Sequence, residues 1–248
     1  RLHFPESSND LKTKLKVMFN SCKALTTSNN LARVYQLVLQ VGNYLNAGTR
    51  KGNASGFKIG SLPALSNTKS TDGKLTLLDY IVARVDKQFK TDEDRVAKVP
   101  FLADIHILKD AVNYDWQAVQ DEHRRMKVQL KKIQTVVTGP PMEDSKDQFQ
   151  TVMTTFYNSA NEEFKLLTKR LKRIMQLEEQ LLAYFGETKD KTDLSQLFSL
   201  LSSFTSAFEF SEMNLKPLRR DEGAKKKPKE LLEGGVADPR LGGNFAGM

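Results

Sequence analysis

Cysteine is almost missing from this sequence: Cys22 is the only one in 248 residues. A single thiol excludes an intrachain disulfide, and nothing points to an oxidising compartment. Cys22 reads as a small buried hydrophobe. No run of about 18 apolar residues exists, so no membrane span is expected. His3, His106 and His123 lack the His, Cys, Asp or Glu neighbours that a metal site needs. His123 reads instead as a packed or rim histidine. Glu178-Glu179 and Asp92-Glu93-Asp94 read as solvated faces, not as an acid/base pair in a cleft. The glycines do not follow a strand with the spacing of a phosphate-binding loop. These absences exclude a disulfide scaffold and leave no constellation for catalysis, so the chain is not read as an enzyme and no cofactor or metal is expected. Hairpin signals between strands are missing too, as is any repeat of about 20 to 50 residues.

What is present is apolar periodicity and positive charge. Hydrophobic residues make up 39% and charged residues 27%; the formal net charge is +8 and the pI about 9.4. Such a balance favours an acidic partner, whether nucleic acid, an anionic membrane or an acidic protein surface. Ser7 to Asp10 are helix-starting residues ahead of Leu11, Leu15, Val17 and Met18. Thr26 to Asn30 end that helix, and Leu31, Val34, Leu37, Val38, Val41 and Leu45 form one face of the next.

The stretch from Val41 to Val82 breaks this regularity. Gly42, Gly48, Gly52, Gly56 and Gly60 are expected to interrupt any regular element, and Asn43, Asn46 and Asn53 to support turns. Its apolar residues Phe57, Ile59, Leu62 and Leu65 argue for burial, so the stretch reads as a receptacle for another segment rather than a disordered linker. A short helical turn is expected around Leu62 to Leu65, and Thr71 or Asp72 as the cap of a helix from Leu75 to Val85.

Thr91 to Asp94 mark a break, and Pro100 fits the first turn of a long helix. Ile105, Val112, Val119, Met126 and Ile133 recur every seven residues, with Lys109, Trp116, His123, Leu130 and Val137 as a second line. Thr138 to Pro141 end that helix. Another starts near Asp144 or Ser145, with Met153, Ala160, Leu167, Ile174 and Leu181 accompanied by Tyr157, Phe164, Leu171, Glu178 and Phe185. Two such seams joined by a Gly-Pro turn predict an antiparallel coiled-coil hairpin with arms of roughly 50–60 Å. Gly186 reads as a helix stop and Thr192 or Asp193 as the cap of a last helix running to Phe210. From 217 to 248 the composition turns basic and Gly-rich, and a disordered tail is expected. The fold expected is all-α: an elongated helical bundle with a long antiparallel coiled-coil hairpin, over residues 1–216.

Lys109 is the odd seam residue. Its stem can pack on the hairpin while the ammonium reaches water, or the cation is presented on a rod to an acidic partner. Trp116 reads as core packing. Two functional classes remain open on residues alone: a helical module that binds an acidic protein, and a basic rod-like scaffold that binds anionic membrane or nucleic acid, largely through its tail.

The ordered block GNYLNAGTRKGNASGFKIGSLPALSNTKSTDGKLTLLDYI resembles the signature of the formin homology 2 domain. The matching features are Gly42-Asn43, Asn46, Arg50-Lys51, Gly56-Phe57, Leu62 with Leu65, Lys69 to Asp72, and Leu77-Leu78. FLADIHILKDAVNYD, Phe101 to Asp115, is similar to the family's helix that carries an actin-contacting lysine, and Lys109 falls on that lysine. Phe149 to Glu187, closing on AYFGE, is similar to the family's later long helix. The resemblance covers about residues 10 to 215. It implies an actin-binding, actin-nucleating domain that stays on growing barbed ends as a head-to-tail dimer, located in the cytoplasm at the actin cytoskeleton. One subunit's lasso would wrap the post of the other, and Gly42, Asn43, Tyr44, Asn46, Gly56 and Phe57 would form the receiving, dimerising surface. Profilin would be an indirect partner through a proline-rich segment upstream. The lasso with its tryptophans, the linker and most of the knob, including its actin-contacting isoleucine, are expected upstream of residue 1. Leu45 stands where many members carry Met. A piece without the lasso is expected to be weak or inactive in nucleation.

Overall fold

The structure, a computed structural model, describes residues 4–89, 100–139 and 148–224. The break expected at Thr91 to Asp94, the helix start near Asp144 or Ser145 and the part of the expected tail beyond 224 lie outside them, whereas 217–224, expected to belong to a disordered tail, continue the last helix. Among the described residues all regular structure is helical, apart from one isolated antiparallel bridge between Lys69 and Thr76. The all-α expectation holds.

Three helices form the rod. Helix α1 (Phe4–Thr27) buries Leu11, Leu15, Met18, Cys22 and Leu25 at helical spacing. Helix α7 (Trp116–Val137) buries Trp116, Val119, His123, Met126 and Leu130. Helix α8 (Phe149–Tyr184) buries both seam lines from Ala160 to Leu181. The pairing of α7 and α8 is antiparallel: Gln150 donates to the carbonyls of Val137 and Gly139 at 3.2 and 3.3 Å at one end. Further along, His123 meets Thr168 at 2.8 Å. The expected hairpin is therefore present, but it is not a bare pair. Helix α1 lies parallel to α8, with Phe4 edge-on to Phe156 at 5.7 Å, and Lys14 ties it to Glu122 of α7 at 2.8 Å. With 36 residues, α8 rises roughly 54 Å, longer than a compact domain of this size is wide. The fold is elongated as expected.

The first arm of the hairpin is shorter than expected. The chain from Pro100 forms a five-residue helix, α5 (Pro100–Asp104), then the single turn α6 (Leu108–Ala111), and only then α7. The interruption is chemical. Asn113 and Tyr114 close tight turns onto Asp110 and Ala111. Asp115 then restarts the helix as an N-cap, accepting from the Ala118 amide at 2.6 Å. The Trp116 amide donates to Ser195 at 2.7 Å, which fixes this start against the last helix. Of the seam residues before the break, Val112 is 40% exposed and Lys109 lies on a different element.

The remaining helices form a second packed group on the same continuous core. Helix α2 (Asn29–Leu45) follows α1 after one residue, Ser28, whose hydroxyl accepts from the Leu31 amide at 3.0 Å. The same hydroxyl donates to Asp104 at 2.6 Å. Gly42 sits buried inside α2 and does not interrupt it, contrary to expectation. A 3-10 turn (Ile59–Ser61) and α3 (Ala64–Asn67) follow the loop. Helix α4 (Leu77–Phe89) starts two residues after Leu75. Its cap is not Thr71 or Asp72 but Thr76, whose hydroxyl accepts from the Asp79 amide while Asp79 accepts the Thr76 amide. This reciprocal pair satisfies two orphan donors at once. Asp72 instead takes the Ser70 hydroxyl and the Lys74 amide in the preceding turn.

At the end of α8, Gly186 adopts φ +65°. The amides of Gly186 and Glu187 donate back to Ala183 and Leu182 at 3.2 and 2.8 Å, the six-to-one and five-to-two closure that a left-handed residue permits. Asp193 and Gln196 cap α9 (Leu194–Ala224) reciprocally. Helix α9 packs on α4 and α6, burying Leu197, Phe198, Leu201, Phe204 and Phe208, whereas Phe210 is exposed.

Candidate functional site: the loop after α2 and the lysine turn

The loop after α2 is built around one side chain. Asn43, on the last turn of α2, donates its amide to the Ala54 carbonyl at 2.9 Å. Its side-chain oxygen accepts the Ala54 amide at 2.8 Å. One asparagine thus satisfies both backbone groups of a loop residue, as a strand neighbour would. Asn46 ends α2 with its amide on Gly42 and Tyr44, and its carbonyl accepts the amide and hydroxyl of Thr49 at 3.1 and 2.8 Å. Gly52 closes the turn: a Cβ there would lie 2.6 Å from the Asn46 carbonyl oxygen. Asn53 takes φ +61°, which an Asn tolerates better than most residues.

Phe57 anchors the far side of the loop. Its ring meets Tyr35 of α2 edge-on at 5.8 Å, and Tyr35 meets Phe185 at the end of α8 at 5.7 Å. Tyr184 stands beside Phe185 at 5.0 Å and is 62% exposed. An aromatic chain therefore joins the loop to the end of the rod's longest helix. The Tyr35 phenol is buried with no hydrogen-bond partner; burial, then the nearby Tyr184, pushes its pKa well above the usual tyrosine range.

Of the residues expected on the receiving surface, Asn43, Asn46 and Phe57 come together as the loop's frame. Tyr44 and Gly56 are exposed on it, and a Cβ on Gly56 would meet open space. Gly42 is buried beneath them in α2. Tyr35 and Tyr184 join this site without having been singled out from the sequence. Tyr35 hides among the apolar residues of α2. Tyr184 is visible only through the AYFGE close.

Lys109 lies elsewhere. It sits on α6, between α1 and α9, and its ammonium lies 3.0 Å from both carboxylate oxygens of Glu209 on α9. Its side chain is about half exposed. The sequence places this lysine on a long rod helix; the structure places it on a one-turn wedge, already paired. Among the described residues no cluster of His, Cys, Asp and Glu could hold a metal ion, and no helix is long and apolar enough to cross a membrane.

The family model described as Formin Homology 2 Domain matches residues 1–209. The chain belongs to the formin homology 2 family. Similar proteins include mouse Protein diaphanous homolog 3, 30% identical over 209 residues, which covers 84% of this chain and 17% of that protein. The human Protein diaphanous homolog 3 is 29% identical over 237 residues, 94% of this chain and 19% of the relative. Formin-F of Dictyostelium discoideum is 24% identical over 239 residues, 93% and 19%. The chain therefore spans less than a fifth of the length of these formin relatives.

Proposed function

We propose that this chain is the post-and-rod part of a formin actin-assembly domain. Its loop from Gly42 to Phe57 receives a segment of a second formin subunit, and Lys109 engages actin. In the complete domain the two subunits form the head-to-tail dimer that nucleates filaments and elongates barbed ends, with profilin delivered through a proline-rich segment upstream. Work at the actin cytoskeleton in the cytoplasm follows from that role.

The observation that carries this reading is the Asn43–Ala54 pair. It holds the family's signature loop in one shape while leaving Tyr44, Arg50, Lys51 and Gly56 exposed. A loop framed so tightly around exposed polar and aromatic groups has the preorganisation a receiving surface needs. Lys109 supports the second half. An exposed ion pair contributes only about 0–1 kcal/mol, so an acidic partner can take the ammonium from Glu209.

Actin co-sedimentation tests it. Lys109→Asp should weaken binding at least fivefold with helicity unchanged, and Glu209→Gln, which frees the ammonium, should strengthen it. If neither substitution moves the binding curve, Lys109 does not face actin.

A further inference from the structure

The rod carries more positive charge than the function above uses. From Arg124 to Lys132, α7 has five basic residues and no acidic one, and α8 repeats this from Lys165 to Arg173. Their directions follow from the contacts already described. On α8, Thr168 and Gln150 face α7, whereas Phe156 faces α1. At about 100° per residue, Lys165, Lys169 and Lys172 lie roughly 40–100° beyond Thr168 on the side away from α1. On α7, His123 faces α8 and Glu122 faces α1 through Lys14. Arg124, Lys127 and Lys131 lie roughly 40–100° beyond His123, again away from α1. Because α7 and α8 are antiparallel, the two rows flank one groove on the face opposite α1.

All six side chains are exposed. Arg124 pairs with Asp121, and Lys165 with Glu162. Lys127, Lys131, Lys169 and Lys172 make no ion pair with any described residue. With His123 level with Thr168, Lys131 and Lys172 are about 18 Å apart along the groove, the span of five or six residues of extended chain.

We infer that the α7–α8 groove is a docking site for an extended acidic polypeptide segment, separate from the post loop and from Lys109. Charge complementarity selects the partner's sign. The placement of apolar side chains selects its class. The exposed aliphatics nearest the lysines, Val128 and Leu166, stand singly, one on each helix and roughly 60–120° round from the lysines, and two separate side chains do not make the continuous apolar face that an interfacial helix inserts into a membrane. No exposed aromatic side chain flanks them either, as stacking on single-stranded nucleic acid requires.

The test uses a fluorescent ten-residue polyglutamate peptide, read by anisotropy at low salt. K127E/K131E/K169E should weaken binding at least tenfold. R125E/K132E/R170E, which changes net charge equally but on other faces of the rod, should weaken it less than threefold. Equal losses from both triple variants overturn the groove, because net charge alone then explains binding. No loss from the first triple overturns it as well. If that triple loses helicity by circular dichroism, K127Q/K169Q replaces it, with at least a threefold loss expected and an unchanged affinity overturning the site. Phosphatidylserine vesicles or a 20-base-pair duplex that bind more tightly than the peptide, through the same lysines, overturn the polypeptide assignment.

Discussion

Buried side chains of the rod have titration and reactivity set by what surrounds them. His123 stacks on Phe164 with ring centroids 4.6 Å apart and meets the Thr168 hydroxyl. Thr168 donates to the Phe164 carbonyl, so its oxygen is left to accept from a protonated Nε2 of a neutral ring. Burial, then the charge of Lys127, holds the His123 pKa below its ordinary 6.5. The unfolded chain therefore binds more protons as pH falls, and the stability that neutral His123 contributes is full above about pH 6.5 and is lost below it. His123→Gln keeps an amide donor for Thr168 without the titration. It should flatten the rise in melting temperature between about pH 5 and pH 7, measured against wild type. Cys22 gives a second prediction. Burial, then the nearby Glu178, pushes its thiol up to about 12, and only thiolate reacts readily. Ellman's reagent should label it slowly in the native protein and stoichiometrically in denaturant. These two residues were legible as buried from the sequence. Tyr35 was not, because a tyrosine within an apolar face carries no mark of the ring it will meet.

Among the elements, the loop after α2 separates two kinds of glycine. Gly52→Ala drives a Cβ against a backbone oxygen, which cannot yield without moving the Asn46 turn. It should lower stability by about 1–3 kcal/mol and speed amide exchange from Asn46 to Ala54. Gly56→Ala meets open space and should leave the melting temperature within about 2 °C. Any loss of dimerisation it causes in a complete formin domain then reports contact with the other subunit, not a distorted loop. The elements best foretold were α8 and its stop, since two seam lines and Gly186 agree. The poorest was the segment from Pro100 to Trp116. The seven-residue repeat runs on through Lys109 and Val112, so periodicity joins what Asp115 divides. The cap of α4 was misplaced for a related reason. Thr71 and Asp72 have the right chemistry, but only Thr76 has its reciprocal acid three residues on. The ion pair between buried Glu178 on α8 and half-exposed Lys189, 3.1 Å apart, also escapes sequence reading. The ammonium approaches off the direction a hydrogen bond needs, so the tie is charge on charge.

For the whole molecule, α1 changes the mechanics of the rod. The sequence calls for two helices; the structure supplies a third that runs along both. Nothing in periodicity tells which apolar stripe will cover which, so this docking could be seen only in three dimensions. Met18, fully buried in α1, tests it. Met18→Ala should cost about 2–5 kcal/mol, and circular dichroism and Trp116 fluorescence should lose their signals in one coincident transition, since one continuous cluster links α1 to the rest. Two separate transitions would mean that the rod and the second group of helices unfold independently. The fold class was legible because helical spacing repeats over long stretches, whereas the joints between helices rest on single residues such as Ser28 and Asp115.

Helix α8 passes unbroken from the closed end of the hairpin to Tyr184, beside which the ring of Phe185 meets Tyr35. It is a single span of about 54 Å that ends in an aromatic contact of 5.7 Å. A load on the far end of the rod therefore reaches Tyr35, and through it Phe57 of the loop, along one continuous helix.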